Sequence, residues 1–409
     1  FATIVLQIGN YVFPLIIIPY LSRVLGPELY GRTSYYISIM LMIGLIVDYG
    51  YDLSASRKIA AIQKTKGDLQ EYFRSVVSAK LLIYLCLVIL VLLYIQLKDY
   101  NFTDFVLFVL LLLSVIGNAF FFFFLFLGLE RLDISASIQF VAKFIFSLSI
   151  LLMISAPDDY ALYGVAVFFS QTVLIVISHI YLKRKYSIVF KLASIQSIKR
   201  QIQNGFTVFI STFVANFYST FNLTLLGILT SETEVGYFSA SQKIVYFGIG
   251  IIGYPLSLTL FPKISQSFVI SEVVGRKTHH KYLKLVLIPA FVVSFALFFN
   301  AEKGVLLIFG NQFSDSIDLL RVLSPLPFII AISNYYGTLG LLNMKKDPDF
   351  FMVTGIGALL GITLNLSLFK VFGVFGFCVG WLLTEASVSF LMFHRYHYKE
   401  RNEDQITSY

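Results

Sequence analysis

Among the ionisable side chains within or at the ends of long apolar runs of this 409-residue chain, five are candidates for function. Lys143 and Lys243 are the cations placed furthest inside such runs, and Arg321 begins another run. Asp48 and Glu385 are the carboxylates. A charge at the centre of a bilayer costs about 2.5–3.5 kcal/mol, so such residues usually face a cavity and act there. The five residues therefore predict a polar cavity inside an apolar protein.

The depths of the cations separate their expected roles. Lys143 lies roughly 15 Å into its run, near the midplane, and Lys243 roughly 10 Å from the outer end of its run, at 1.5 Å per helical residue. Both suit the binding of an anionic group. Arg321, on the outer side, and Lys80, near the cytoplasmic end of its run, can also reach water by snorkelling.

The two carboxylates leave several interpretations open. Asp48 or Glu385 can form a structural ion pair with a buried lysine, or carry a coupling proton or Na⁺ that gates the cavity. Asp48 can instead pair with Arg57, which follows it at a basic exit from the apolar run.

Amide and aromatic side chains also occur in the apolar runs, and they suit hydroxyl-rich ligands or serve as contacts between helices. The candidates for contact with sugars are Asn10, Tyr11, Asn216, Tyr218, Asn334 and Tyr335.

Composition defines the class of protein that must position these residues. The chain is 57% hydrophobic and 13% charged, against about 25% charged residues in soluble domains. It is therefore predicted to be an all-α integral membrane protein, because spanning backbone must pair its polar groups internally. Because the chain begins at Phe1, a short N-terminal segment is expected to precede it.

Twelve apolar segments have the length of membrane spans. They cover about 2–22, 34–53, 76–97, 104–127, 134–155, 160–182, 206–229, 236–260, 284–300, 318–342, 350–370 and 373–393. With the N-terminus inside, the inner connections carry 22 lysines and arginines and the outer ones 5. This distribution predicts that both termini are cytoplasmic.

An internal echo divides the chain into two halves. The stretch Leu25–Ala60 recurs 205 residues later, so that Gly31, Tyr49 and Lys58 fall on Gly236, Tyr254 and Lys263. The predicted parts are a six-helix lobe over 1–182, a basic amphipathic connector over 183–204, a second six-helix lobe over 205–393 and a cytoplasmic tail over 394–409. The connector is expected to form a helix on the membrane surface.

Several motifs have structural explanations. Gly248, Gly250 and Gly253 match a dinucleotide fingerprint, but they lie inside a predicted span, where glycines serve helix packing. The Asp347–Pro–Asp349 turn suits a helix start. The histidines lie near cytoplasmic ends without metal-ligand partners. We therefore expect no enzyme activity, no metal site, no cofactor and no nucleic-acid partner.

Several segments in which glycine and polar residues interrupt the apolar runs resemble those of a known protein family. The chain resembles polysaccharide flippases of the Wzx type in five segments. These are LSRVLGPELYG and DYGYDLSASRKIA around the second span, GLERL after the fourth, EVGYFSASQKI entering the eighth and FGVFGFCVGWLLTE in the twelfth. These flippases belong to the multidrug/oligosaccharidyl-lipid/polysaccharide (MOP) exporter superfamily.

The resemblance implies a MATE-like fold in the bacterial inner membrane. It implies that undecaprenyl-diphosphate-linked oligosaccharide is moved across that membrane by alternating access through a cationic cavity. Coupling to H⁺ or Na⁺, surrounding membrane lipids, and a glycan polymerase and chain-length regulator as partners follow as further expectations.

Three other functions compete with this one. A drug or cation antiporter of the same superfamily should have a net acidic cavity. A membrane glycan polymerase or acyltransferase should have a large outer domain or a catalytic His/Asp set. A scaffold for glycan assembly would have little use for buried charges.

Overall fold

The computed structural model describes the backbone of residues 2–65, 68–95 and 101–406. Side chains are described over 12–63, 68–93, 101–214, 220–253 and 259–398, and at 9, 95, 216 and 255–257. Over these residues the chain is almost entirely helical and contains no strand.

Sixteen α-helices are numbered here in chain order over the described backbone. They are α1 (Ala2–Asp48), α2 (Tyr51–Thr65), α3 (Leu69–Ile95), α4 (Phe102–Ser114), α5 (Ile116–Phe120), α6 (Phe123–Gly128), α7 (Leu132–Met153), α8 (Leu162–Tyr186), α9 (Ile195–Leu229), α10 (Glu232–Ile270), α11 (Glu272–Lys281), α12 (Leu283–Phe299), α13 (Ala301–Ile308), α14 (Ser316–Leu323), α15 (Leu326–Asn334) and α16 (Asp347–Ile406). Short 3₁₀-helices occupy Pro157–Ala161 and Asn311–Phe313, and a π-helix occupies Tyr335–Leu341.

Two glycines divide the longest helices into pairs of spans. Gly26 has φ 68° inside α1, and Gly373 has φ 59° inside α16. Glycine adopts this left-handed region without the clash that a Cβ would cause. Nine helical segments among the described residues are long and apolar enough to cross a membrane. With these two divisions and α9, they account for the twelve predicted spans, and the predicted all-helical fold is confirmed.

The chain forms two compact units, residues 1–216 and 217–409. The boundary falls inside α9, twelve residues after the predicted start of the second lobe. The first unit is called unit 1 below, and the second is called unit 2.

The predicted helix in the connector is wrong over residues 187–194, which are not helical. The Gln70 side chain donates to the carbonyl of Val189 and accepts from its N–H, and the Ala193 N–H donates to Ser78 Oγ at 3.0 Å. Ile188 is buried. These contacts satisfy backbone groups that a helix would otherwise pair internally, so the segment packs against α3 without forming a helix.

The fourth span is broken in its second half. α5 ends at Phe120, Phe121 is extended, and α6 begins at Phe123. The last carbonyls of a helix lack intrahelical partners. Such a break within a span is tolerated where the freed backbone is buried in protein or lines a cavity.

Candidate functional site

A cavity of about 590 Å³ lies inside unit 1. The helices α1, α7 and α8 each contribute residues at positions i, i+3, i+4 and i+7, which share one helix face. These residues are Leu41, Gly44, Leu45 and Asp48 on α1, Gln139, Ala142, Lys143 and Phe146 on α7, and Val167, Ser170, Gln171 and Leu174 on α8. Asp52, Lys80, Gly117, Asn118, Phe121 and Phe123 complete the lining.

Lys80 is the most deeply buried charge in this lining, with 1% of its surface exposed. Its Nζ donates to Asp48 Oδ1 at 2.6 Å and to the Asn118 carbonyl at 3.2 Å. Asn118 lies in the last turn of α5, so the break in the fourth span supplies this acceptor. The Phe124 ring lies 5.3 Å from Nζ, within the range of a cation–π contact.

A second carboxylate approaches the same lysine. Asp52 Oδ1 lies 3.7 Å from Lys80 Nζ, and 40% of the Asp52 side chain is exposed. Asp48 ends α1 and Asp52 lies in the first turn of α2. The turn between them places Tyr49 at φ 53° and Gly50 at φ 68°. Both carboxylates are thereby directed towards one buried cation.

Unit 1 therefore combines two lysines and two aspartates in one lining, and their formal charges cancel. The family resemblance implies a cationic cavity, whereas this lining is formally neutral. Lys143 and Asp48 both line this cavity. The roles of both residues remain predictions.

Two of the sequence-based interpretations are wrong. Asp48 pairs with Lys80, and Arg57 is exposed and takes no part in the ion pairs described for Asp48. Lys80 does not snorkel, because it is 1% exposed and its Nζ bonds Asp48, and the helix that carries it starts at Leu69. The lysine is thus eleven residues into α3, roughly 16 Å along it. Small residues before it, such as Ser78 and Ala79, are the sequence signal that the site is enclosed.

Unit 2 contains Glu385 in an aromatic setting. Glu385 is 3% exposed and accepts a hydrogen bond from Trp381 Nε1 at 3.3 Å. The Trp381 ring packs edge-on against Tyr246 at 5.8 Å and in a tilted arrangement against Phe238 at 6.0 Å. Lys243 lies on α10 of this unit and is half-buried.

A much smaller cavity in unit 2, about 20 Å³, has no charged residue among the described residues that line it. Gly253 lies in this lining, and Gly253 is the position that the internal echo aligns with Asp48. The two units thus differ in charge at equivalent positions.

The remaining predicted cation, Arg321, is 45% exposed in its side chain and pairs with Asp318 at 3.0 Å. This pair lies one turn apart on α14. Such exposed pairs contribute little to stability. The expected contact of Arg321 with a ligand near the outer exit stays a prediction.

The predicted sugar contacts have different environments. Tyr335 is 1% exposed, stacks on His279 at 3.9 Å and donates its hydroxyl proton to the His279 carbonyl. Tyr335 also lines the small cavity of unit 2, and its contact with a sugar stays a prediction. Asn334 lines the small cavity of unit 2, and exposed Asn216 donates to the Thr212 carbonyl at 2.7 Å. The side chains of Asn10, Tyr11 and Tyr218 lie outside the described residues.

Solved structures with a similar backbone define the fold. One is the inward-facing conformation of a multidrug resistance MATE family transporter of the MOP superfamily, with a TM-score of 0.77, 14% identity and coverage of 98% of this chain and 96% of that chain. Another is the lipid II flippase MurJ in an inward closed conformation, with a TM-score of 0.75, 15% identity and coverage of 96% and 87%. The fold is that of MOP-superfamily transporters.

The family follows from the sequence comparisons. The family model described as polysaccharide biosynthesis protein matches residues 1–268, and the chain belongs to this family. A protein of Escherichia coli (strain K12) named "Putative O-antigen transporter" is 28% identical over 389 residues, covering 95% of this chain and 93% of its own. A protein of the same name from Shigella dysenteriae is 26% identical over 395 residues, covering 94% and 96%.

The comparisons confirm the predicted MOP-superfamily fold and show that the chain belongs to the polysaccharide biosynthesis family, and its apolar helices make it a multi-pass membrane protein. Because the relatives are named as transporters, they agree with the prediction that the chain is not an enzyme.

Proposed function

We propose that the protein flips lipid-linked oligosaccharide units, carried on undecaprenyl diphosphate, across the bacterial inner membrane by alternating access. The observation that carries the proposal is the 590 Å³ cavity of unit 1, which combines Lys143 with amide and aromatic side chains. The names of the relatives, which specify O-antigen, and the lipid II flippase of similar fold support this substrate class.

The chemistry of the cavity suits a glycosyl diphosphate. Asn118, Gln139 and Gln171 present amide donors and acceptors for sugar hydroxyls. Phe121 and Phe146 supply apolar surface for sugar rings. Lys143 offers a cation that compensates for the hydration that a diphosphate loses on entry.

The Asp48–Lys80–Asp52 cluster provides a route for ion coupling. With all four ionisable groups charged, the lining is formally neutral, which does not favour an anionic substrate. Protonation of one aspartate, or Na⁺ bound beside it, would leave the lining with a formal charge of +1. Binding of a coupling ion and of a diphosphate would then favour each other, because each compensates the charge of the other. No cofactor is needed in this scheme.

The remaining predicted residues complete the proposal in unit 2. Lys243 and Arg321 would contact the diphosphate at later stages, and Glu385 would help to gate. A glycan polymerase and a chain-length regulator are the proposed partners, and membrane lipids surround the protein.

The first test is translocation of a lipid-linked oligosaccharide in proteoliposomes, using purified Lys143→Ala. The loss of a charged contact should reduce the translocation rate roughly ten- to a hundred-fold. Lys143→Arg should retain much of the rate, since it keeps the charge.

Lys191→Ala is the matched control, because Lys191 is exposed in the connector. Its rate should equal that of the unchanged protein. A normal rate for Lys143→Ala would remove Lys143 from the substrate site.

A drug or cation antiporter is the second candidate, and the two carboxylates of the unit 1 cavity favour it. The same proteoliposomes distinguish the two functions. An antiporter would exchange an organic cation for H⁺ or Na⁺ and would leave the lipid-linked oligosaccharide in its original leaflet.

A further inference from the structure

A second cavity of unit 1, about 230 Å³, has a polar lining that the proposed transport does not use. It lies where α2, α3 and α9 meet. Its lining residues are Tyr51, Ser54, Lys58, Tyr72, Gln201, Asn204 and Gly205. Lys58 is the only charged residue of this described lining, and none of the seven carries a carboxylate. This cavity is called the α2–α3–α9 cavity below.

Tyr51 supplies a polar atom without a partner in this lining. The residue is 0% exposed, and its hydroxyl oxygen has no hydrogen-bond partner among the described residues. A buried polar group left unsatisfied costs about 1–3 kcal/mol. An acceptor atom bound in the cavity would remove that cost.

The neighbouring side chains direct further hydrogen-bond donors into the cavity. Gln201 Nε2 donates to the Tyr72 hydroxyl at 3.1 Å, so the phenolic proton of Tyr72 is available to a ligand. The Ser54 hydroxyl donates to the Gly50 carbonyl. Two phenolic protons and the Lys58 ammonium therefore face a cavity without a negative charge in its lining.

The surrounding surface and the size of the cavity favour an anion of phosphate size. Lys199 and Arg200 are exposed immediately before Gln201. The cavity has several times the volume of a water molecule, about 30 Å³ in the liquid. The lysine and arginine distribution predicts this end of the helices to be cytoplasmic, at the level of lipid headgroups.

We infer that the α2–α3–α9 cavity binds a phosphate group, with Lys58, Tyr51 and Tyr72 as its ligands. The phosphate belongs either to a membrane lipid or to a soluble phosphate. The site is separate from the 590 Å³ cavity, since the two linings share no residue. Its occupancy can therefore be tested independently of oligosaccharide transport.

The test measures the melting temperature of the purified full chain in detergent as a function of added ligand. One arm adds inorganic phosphate, with chloride at equal ionic strength as its control. The other adds phosphatidylglycerol, with diacylglycerol as the phosphate-free control. Stabilisation by phosphate identifies a soluble ligand, and stabilisation by phosphatidylglycerol alone identifies a lipid headgroup. Stabilisation by neither overturns the inference.

Two variants locate the binding, and one serves as the matched control. Lys58→Gln and Tyr51→Phe should each weaken the stabilising ligand roughly ten- to a hundred-fold, as expected for the loss of a charged hydrogen bond. Lys199→Gln removes a nearby exposed charge outside the lining and should leave the affinity unchanged.

Tyr51→Phe preserves the ring and is expected to fold. If the hydroxyl is only an unsatisfied group, its removal raises the melting temperature and leaves the ligand affinity unaltered, which overturns the inference. An equal loss in Lys58→Gln and Lys199→Gln would show diffuse surface attraction and would also overturn it.

Discussion

Lys80 sets the charge balance of the 590 Å³ cavity. Its ammonium is enclosed by Asp48, Asp52 and the Asn118 carbonyl, whereas a quarter of the Asp48 side chain is exposed. The lysine thus lies on the buried side of the cluster, and the carboxylates lie on the side that faces the cavity. Ions that enter the cavity meet the carboxylates first.

Replacing Lys80 by Met should destabilise the protein by about 3 kcal/mol, because two carboxylates lose their buried cation. Thermal unfolding in detergent measures the loss. Adding Asp48→Asn to Lys80→Met should restore part of the stability by removing one uncompensated charge. The exposed Arg57→Gln should change the free energy of unfolding by less than about 0.5 kcal/mol. Equal stability of Lys80→Met and the unchanged protein would contradict the pairing.

The turn between α1 and α2 positions both carboxylates of the cluster. Tyr49 is a non-glycine residue with positive φ, which is uncommon and costs free energy. Its ring stacks on Phe209 of α9 at 4.4 Å and 5°. This stacking stabilises a turn that the local sequence alone does not favour.

Gly50→Ala should destabilise this turn by about 1–2 kcal/mol from the positive φ alone. A Cβ at this position would also lie 2.9 Å from Thr212 Oγ1 and 3.1 Å from Val208 Cγ1, so steric crowding adds to the cost. Chemical or thermal unfolding measures the change, and ion-dependent transport should fall as the carboxylates shift.

Gly304→Ala is the matched control for this substitution. Gly304 lies in α13, and a Cβ there would meet nothing within 4 Å. The variant should be unchanged or more stable by up to about 1 kcal/mol, the difference in helix propensity. Equal effects of the two substitutions would refute the strained turn as the cause.

The two units of the molecule are unequal in charge. Asp48 and Lys80 line the cavity of unit 1, whereas Gly253, the counterpart of Asp48, lines a cavity in unit 2 whose described lining carries no charge. Under the proposed function, a coupling ion would bind unit 1 and not unit 2, so ion binding would change the free energy of unit 1 alone during the transport cycle. The internal echo therefore relates the helices of the two units but not the charge at this position.

The orientation of the whole molecule follows from the excess of lysine and arginine in alternate connections. We expect both termini in the cytoplasm. A green fluorescent protein fused after Tyr409 should fluoresce, and alkaline phosphatase fused there should be inactive. Phosphatase inserted in the connection near Asn311, on the predicted outer side, should be active. The reverse pattern would overturn the orientation.

The sequence alone determined the class, the spans and the division into two repeats. Apolar runs of about 20 residues can satisfy their backbone only as helices in a bilayer, so their number and order are legible without any tertiary contact. Lys143 and Asp48 were likewise recognisable, because a charge in an apolar run stands out against its neighbours. The glycine at 26, followed by Pro27, marked the first division between spans.

Only the tertiary structure decided which charges meet. Lys80 and Asp48 lie 32 residues apart, and they meet beside the broken fourth span and the left-handed turn at Tyr49 and Gly50. Hydrophobic periodicity shows which side of a helix is buried, but it does not show which other helix packs against that side. The non-helical part of the connector likewise depends on Gln70, a partner 119 residues away. In each case, contacts between segments distant in sequence determine a conformation that the local sequence does not favour.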